Sequence, residues 1–195
     1  MKLASILFSA ILLLLATTLS YAGPFGTRMG EPKEEFTDLK PIESENSGVE
    51  MYYTSKMPKR HSLFQQYILK FGDTGLVSII AISKLFDNDR ASLGALSAYD
   101  NLKKQLTEKY GEPKNLEFLH PNGIWKKDNE FAMSLVKNER QHTCDWTKNL
   151  PDDLKRIRLA IIGESGDCVK ICLLYEYINI EMVNAILEKV EKDSL

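Results

Sequence analysis

The residues of this chain best suited to chemistry are its three cysteines and three histidines. Cys168 and Cys172 stand four apart in G-D-C-V-K-I-C, and Cys144 lies upstream in H-T-C-D-W, two residues after His142. Such a set makes a disulfide, a zinc site, a nucleophile or three packed thiols, according to whether the segment is strand or helix. Val169, Ile171, Leu173 and Tyr175 alternate with more polar residues, the period of a strand. At about 3.3 Å per residue, Cys168 and Cys172 are then about 13 Å apart, whereas a disulfide needs less than about 7 Å between Cα atoms. These two do not pair with each other. Two readings stay open: one disulfide, Cys144 with Cys168 or Cys172, leaving one thiol over, or three small apolar residues packed as free thiols. A zinc site would have to draw on His142, Cys144 and C-x-x-x-C, but structural zinc sites use tighter knuckles than a strand allows. No metal ligand is assigned.

Ser165 lies in G-E-S-G-D, a segment similar to the one around a trypsin-like nucleophile. Asp167 stands where the second glycine would be, no histidine segment of the matching kind occurs upstream, and a hairpin turn accounts for the residues. His61 ends the basic stretch K-M-P-K-R-H, residues 56–61, which reads as an anion site or as a solvated hairpin loop. His120 precedes Pro121-Asn122-Gly123 in a loop. His142 is placed at the end of a helix, where the dipole favours it. Trp125 and Trp146 flank that helix and read as core or groove residues. No catalytic or cofactor-binding residue is assigned, and no cofactor is implied.

The location of these residues follows from the N-terminus. Lys2, the apolar run Ile6 to Ala16, and Ser20 and Ala22 before Gly23-Pro24 have the layout of a secretory signal peptide, residues 1–22, cleaved between Ala22 and Gly23. A spanning helix needs about 20 apolar residues, and this run has 11. Gly23 stands where a lipoprotein would carry its cysteine. The expectation is a soluble periplasmic or secreted protein, not a lipoprotein, with no membrane span after signal cleavage. Its formal net charge of −2, made one unit more negative by loss of Lys2, excludes a general nucleic-acid binder.

Residues 23–195 are expected to form a single α+β domain, with 23–48 as an extension carrying a short helix around Pro32 to Leu39. Val49, Met51 and Tyr53 alternate as a strand, and Tyr67, Leu69 and Phe71 lead through G-D-T-G into L-V-S-I-I-A-I-S, a hairpin. Ala95, Leu96, Tyr99, Leu102, Leu106 and Tyr110 recur at helical spacing and end at Gly111. A second helix is expected from Asp128 to about His142. Ile157, Leu159 and Ile161 begin a second hairpin through G-E-S-G-D. A last helix, capped by Asn179, carries Ile180, Val183, Ile186, Leu187 and Val190. The predicted architecture is an antiparallel sheet of about five strands with helices packed on it, built as two hairpin-then-helix units.

The combination P-F-G-x-x-M-G-x-x-K-E-E (residues 24–35), G-L-V-S-I (75–79), K-Y-G-E-P (109–113) and Y-E-Y-I-N (175–179) resembles a type of uncharacterised exported bacterial protein. That resemblance implies no activity. Residues 29–83 also resemble, more weakly, the small lipoproteins of the outer-membrane β-barrel assembly machinery, in which a short helix precedes a three-stranded meander; the lipid-attachment cysteine is absent here. The functional expectation is a non-catalytic periplasmic binding or protein-interaction factor of the inhibitor, immunity or envelope-assembly kind, with an envelope protein as partner. The alternative is an envelope hydrolase whose site is assembled from loop carboxylates or His142.

Overall fold

The computed structural model describes residues 23–43 and 49–182, together with residues 185, 188 and 192. The expected signal peptide, and Val183, Ile186, Leu187 and Val190 of the expected last helix, lie outside the described residues. Eight strands form one sheet: β1 (Lys40–Ile42), β2 (Glu50–Thr54), β3 (Phe64–Gly72), β4 (Gly75–Ser83), β5 (Lys114–Leu119), β6 (Arg140–Trp146), β7 (Leu154–Ser165) and β8 (Cys168–Tyr177). Helix α1 (Leu93–Tyr110) links β4 to β5, and the short α2 (Phe131–Val136) lies between β5 and β6. The strand order is β1-β2-β3-β4-β8-β7-β6-β5, antiparallel throughout. Two four-stranded meanders are thus joined through their last strands, β4 against β8.

This corrects the expectation of about five strands in two hairpin-then-helix units. The sheet dominates the molecule. The second helix is one short segment after a 3-10 turn, Asp128–Glu130, and the residues expected at its end, including His142, form β6. Only the 3-10 turn Lys33–Glu35 forms where a helix was expected around Pro32 to Leu39, and Lys40–Ile42 pairs as the edge strand β1. Asn179 spends its side-chain amide on the Thr74 hydroxyl and the Leu76 carbonyl, at 3.0 and 3.2 Å, tying the end of β8 to the β3–β4 turn.

One face of the sheet carries the main core. Over β6–β8 it is covered by Ala95, Tyr99, Leu102 and Leu106 of α1 and by Phe131, Ala132 and Leu135 of α2. The α1 N-terminus is held by the Asp89 carboxylate, which accepts from the Gly94 N–H at 3.0 Å. Its C-terminus stops at Gly111 (φ 81°), whose carbonyl accepts from Trp146 Nε1 at 2.7 Å. Over β2–β4 the cover is coil: Phe25, Met29, Phe36, Leu39, Met57 and Leu63. Val77 is an extra residue between the pairs Lys70–Ser78 and Phe71–Leu76. This bulge lets Leu76 and Ile79 both enter the main core, while Val77 packs on the opposite face with Val49 and Ile180.

The opposite face is a mixture of apolar columns and ion pairs. Leu116, Thr143, Ala160, Cys172 and Ile82 lie side by side across five strands. Arg158 grips Asp145 through two bonds of 2.7 and 2.6 Å, and Arg156 meets Glu176 at 2.8 Å. Among the described residues, no helix is long and apolar enough to cross a membrane.

Candidate functional site

Sheet geometry decides the cysteines. Cys144 pairs across to Leu159, which pairs to Leu173, so it shares the helix-covered face. Cys172 pairs to Ala160 and Ile82 on the opposite face, and Cys168 has the same strand parity as Cys172. All three are free thiols, and the sheet itself stands between Cys144 and the proposed partners Cys168 and Cys172. Packed thiols account for them: burial raises the Cys144 thiol and pushes that of Cys172 up to about 11, the unreactive direction. Among the described residues no group of three His, Cys, Asp or Glu side chains is placed to hold a metal ion.

His142 and Cys144 do come together, two apart on β6 beneath α1. The Tyr99 hydroxyl donates to Cys144 Sγ at 3.2 Å, and the His142 ring lies 4.6 Å from Tyr99 and 5.6 Å from Phe131, centroid to centroid. His142 Nε2 is buried without a hydrogen-bond partner among the described residues, and burial lowers its pKa. An imidazole and a thiol at such spacing invite comparison with a Cys–His nucleophile, but the thiol is wholly buried and raised, and neither residue lines the cleft described below. Ser165 donates to Asp167 at 3.1 Å within its hairpin turn, and the Cys168 thiol donates to the same carboxylate at 3.3 Å. His120 accepts from the Asn122 N–H in its loop.

A cleft with polar and apolar walls lies where the helix-covered and coil-covered halves of the core meet. It encloses about 420 Å³, within the range of small-molecule sites. Its floor is Phe64, Leu173 and Tyr175 from the sheet, and one wall is Leu102, Leu106 and Tyr110 of α1. The other wall is the 3-10 turn Pro24–Gly26 with the basic loop at Lys59, Arg60 and His61. Lys109 completes the rim, its ammonium 4.8 Å over the Tyr110 ring. Among the described residues, no carboxylate lines this space. Among the described residues none of Lys59, Arg60 and Lys109 takes part in an ion pair.

Phe25 is the pin of the site. Its backbone is left-handed (φ 53°, ψ 21°), a conformation that costs a residue other than glycine about 1–2 kcal/mol. Three edge-to-face contacts hold it there, to Phe64 at 5.8 Å, Tyr67 at 5.0 Å and Tyr175 at 5.7 Å. Its carbonyl accepts from the Lys59 N–H at 2.9 Å, coupling the turn to the basic loop. The turn is anchored further by Tyr177, whose hydroxyl bonds Thr27 Oγ1 at 2.9 Å while Thr27 donates to the Pro24 carbonyl at 2.8 Å. Burial pushes the Tyr177 phenol up to about 12. Tyr67 is wholly buried, and its hydroxyl has no well-formed hydrogen bond among the described residues. Burial raises that phenol, and the His61 backbone and Arg60 pull it the other way, which places the hydroxyl against the same loop. His61 accepts from the Leu63 N–H through Nδ1 at 3.2 Å, which leaves Nε2 as the atom that carries its proton.

A larger hollow of about 540 Å³, bounded by Lys33, Glu50, Phe71 and Asp73, is less telling. Its lysine is already paired with Glu50 at 2.7 Å, and Glu34, Glu50 and Asp73 line it, so it offers no free cation to an anion. The sequence had pointed to the basic loop but not to the aromatic floor, since Tyr175 reads as one member of an alternating strand and Phe25 as part of a Gly- and Pro-rich leader. Trp146 proves to be core, 2% exposed, and Trp125 sits in the loop whose backbone is held by Glu139. Comparison with protein families, with curated proteins and with solved structures finds no match for this chain.

Proposed function

We propose that this chain is an exported, non-catalytic binding factor, and that its ligand is an anion with an apolar body seated in the cleft at Phe25, Tyr110 and Tyr175. The observation that carries the reading is the combination at one place of three cations with no ion pair and no lining carboxylate among the described residues, over an aromatic floor held by a strained Phe25. Strain kept by three aromatic contacts is what a preorganised site requires, because a rigid wall loses less entropy on binding. The charged end of the ligand meets Lys59, Arg60 and Lys109, and its apolar end lies on Phe64 and Leu173. Export rests on the layout of residues 1–22, and N-terminal sequencing of the protein from an envelope fraction checks it: Gly23 is the expected first residue.

Dodecyl phosphate, used below its micelle concentration, is the probe for the site. The expected result is saturable one-to-one binding by calorimetry, weakened at least tenfold in a Lys59→Ala, Arg60→Ala, Lys109→Ala variant. Equal binding of dodecyltrimethylammonium, or an unchanged affinity in the triple variant, would sink the reading.

A further inference from the structure

The two ends of the sheet are unlike. β1 is three residues long with Pro41 at its centre, a blunted edge. β5 is six residues, Lys-Asn-Leu-Glu-Phe-Leu, paired on one side to β6 and, among the described residues, last in the strand order on the other. It has no proline and no bulge, and Phe118 is 49% exposed. On the sheet face away from α1, Phe118 neighbours Gln141, Ile162 on the same face is 46% exposed, and Leu116 opens the column that runs through Thr143, Ala160 and Cys172. An edge of this kind is a template for another strand.

We infer that β5 pairs antiparallel with β5 of a second copy about a two-fold axis at Leu116, making one continuous sheet of two chains. The occupant is argued from the strand's own residues. In a two-fold antiparallel pair, facing residues share a sheet face, so the axis passes through a residue. Centred on Leu116, the pairs are Leu116 with its copy, Asn115 with Glu117 and Lys114 with Phe118. That register joins an apolar pair, an amide to a carboxylate and a cation to an aromatic ring, each a favourable cross-strand combination. Centred on Glu117 it sets two carboxylates face to face, and centred on Asn115 it pairs only residues 114–116 of the strand, against 114–118 for the Leu116 register. The Leu116 register also continues the apolar column from one copy into the next. A single strand pair buries less than a standard interface, so the association is in the micromolar range or weaker. Glu117 already lies 4.0 Å from Lys103 of its own chain on the α1 side, which leaves its carboxylate less costly to enclose beside Asn115.

Sedimentation velocity on residues 23–195 from 1 to 200 µM tests this without reference to the cleft. A concentration-dependent monomer–dimer exchange is expected, weakened at least tenfold by Leu116→Lys, which faces itself only in the proposed register. In a Cys168→Ser background, Leu116→Cys should give an oxidised covalent dimer, because Cα atoms at the axis are about 5 Å apart. Lys114→Cys, which faces Asp145 rather than a thiol, should not, because its two copies are offset to about 14 Å, beyond disulfide reach. Circular dichroism checks that each variant is folded. A wild-type protein monomeric at 200 µM overturns the inference, as does equal cross-linking of both cysteine variants. So does a monomer whose β5 edge instead takes an extended peptide of unrelated sequence.

Discussion

The two halves of the sheet share a plan, a four-stranded meander, and differ in what covers the core face. β6–β8 lie under α1 and α2, and β2–β4 lie under coil, residues 25–39 and 57–63. A helix satisfies its own backbone, so the covered half needs only apolar contacts and two well-made ends, Asp89 at the start of α1 and Gly111 at its close. Coil must find partners for each peptide group it buries. Hence the tight turns at Pro24–Gly26 and Lys33–Glu35, the bonds from Gly30 to Leu76 and from Leu76 to Glu31, and the aromatic plugs Phe25 and Phe36. Where the two kinds of cover meet, neither extends over the other, and the cleft is what remains.

The contrast is open to attack by mutation, most forcefully in the helical half. Trp146→Ala removes a side chain 2% exposed and its bond to the end of α1, and is expected to cost about 3–5 kcal/mol, read as a lower urea midpoint. Two glycines with nearly the same φ then separate the halves. Gly75 (φ 84°) has the Gly30 carbonyl where a Cβ would sit, so Gly75→Ala adds a clash to the backbone penalty and should cost about 2–4 kcal/mol. Gly111 (φ 81°) has nothing near, so Gly111→Ala should cost about 1 kcal/mol. Equal losses at the two would show that the coil cover is as loosely packed as a helix end. Phe25→Gly relieves the left-handed backbone while removing the ring. A stability loss of about 1 kcal/mol, smaller than the usual Phe truncation, with a tenfold weaker grip on dodecyl phosphate, would separate its two roles.

The smallest effect expected is one of pH. Burial holds the His142 imidazole below its ordinary 6.5, so the unfolded chain takes up a proton before the folded one does. The stability due to the neutral ring is therefore complete above 6.5 and is lost as pH falls from there toward the folded value. The melting temperature of wild type should fall relative to that of His142→Phe as pH falls from 7 to 5. A constant gap would mean that the ring is not titrating where the helical cover buries it.

Which parts of this were legible in the sequence depends on the same contrast. The hairpins of β3–β4 and β7–β8 show plainly because Tyr67, Leu69, Ile157 and Leu159 alternate against a single buried face. α1 shows because its stripe from Ala95 to Tyr110 is long. β6 hides because its core face holds His142 and Cys144, its other face holds Thr143 and Asp145, and residues 143–146 are all buried, so neither burial nor polarity alternates along it. β5 had a readable signal, Leu116 and Phe118 alternating with Asn115 and Glu117 just after Pro113. β1, three residues with a central proline, had none. Of the cleft, the cations of residues 59–61 were visible as a cluster, but Lys109, Tyr110, Phe25 and Tyr175 come from elements far apart in the chain. No spacing rule connects them; the fold does.

The junction of β4 with β8 also bears on how the molecule comes together. Each other strand lies beside one that precedes or follows it in the chain, whereas Ile80 meets Leu174 across the whole of α1 and three strands. Loop entropy grows slowly with length but is charged before the contact forms, and rates fall as pairings become less local. Each meander is therefore expected to gather by itself, with the β4–β8 seam closing late, and pulse-labelled hydrogen exchange should protect β3 and β7 before the amides of the seam. A chain delayed at that step presents two unpaired central strands, each complementary to the other's counterpart in a neighbouring molecule, so the same seam that completes the monomer is also its route to domain exchange.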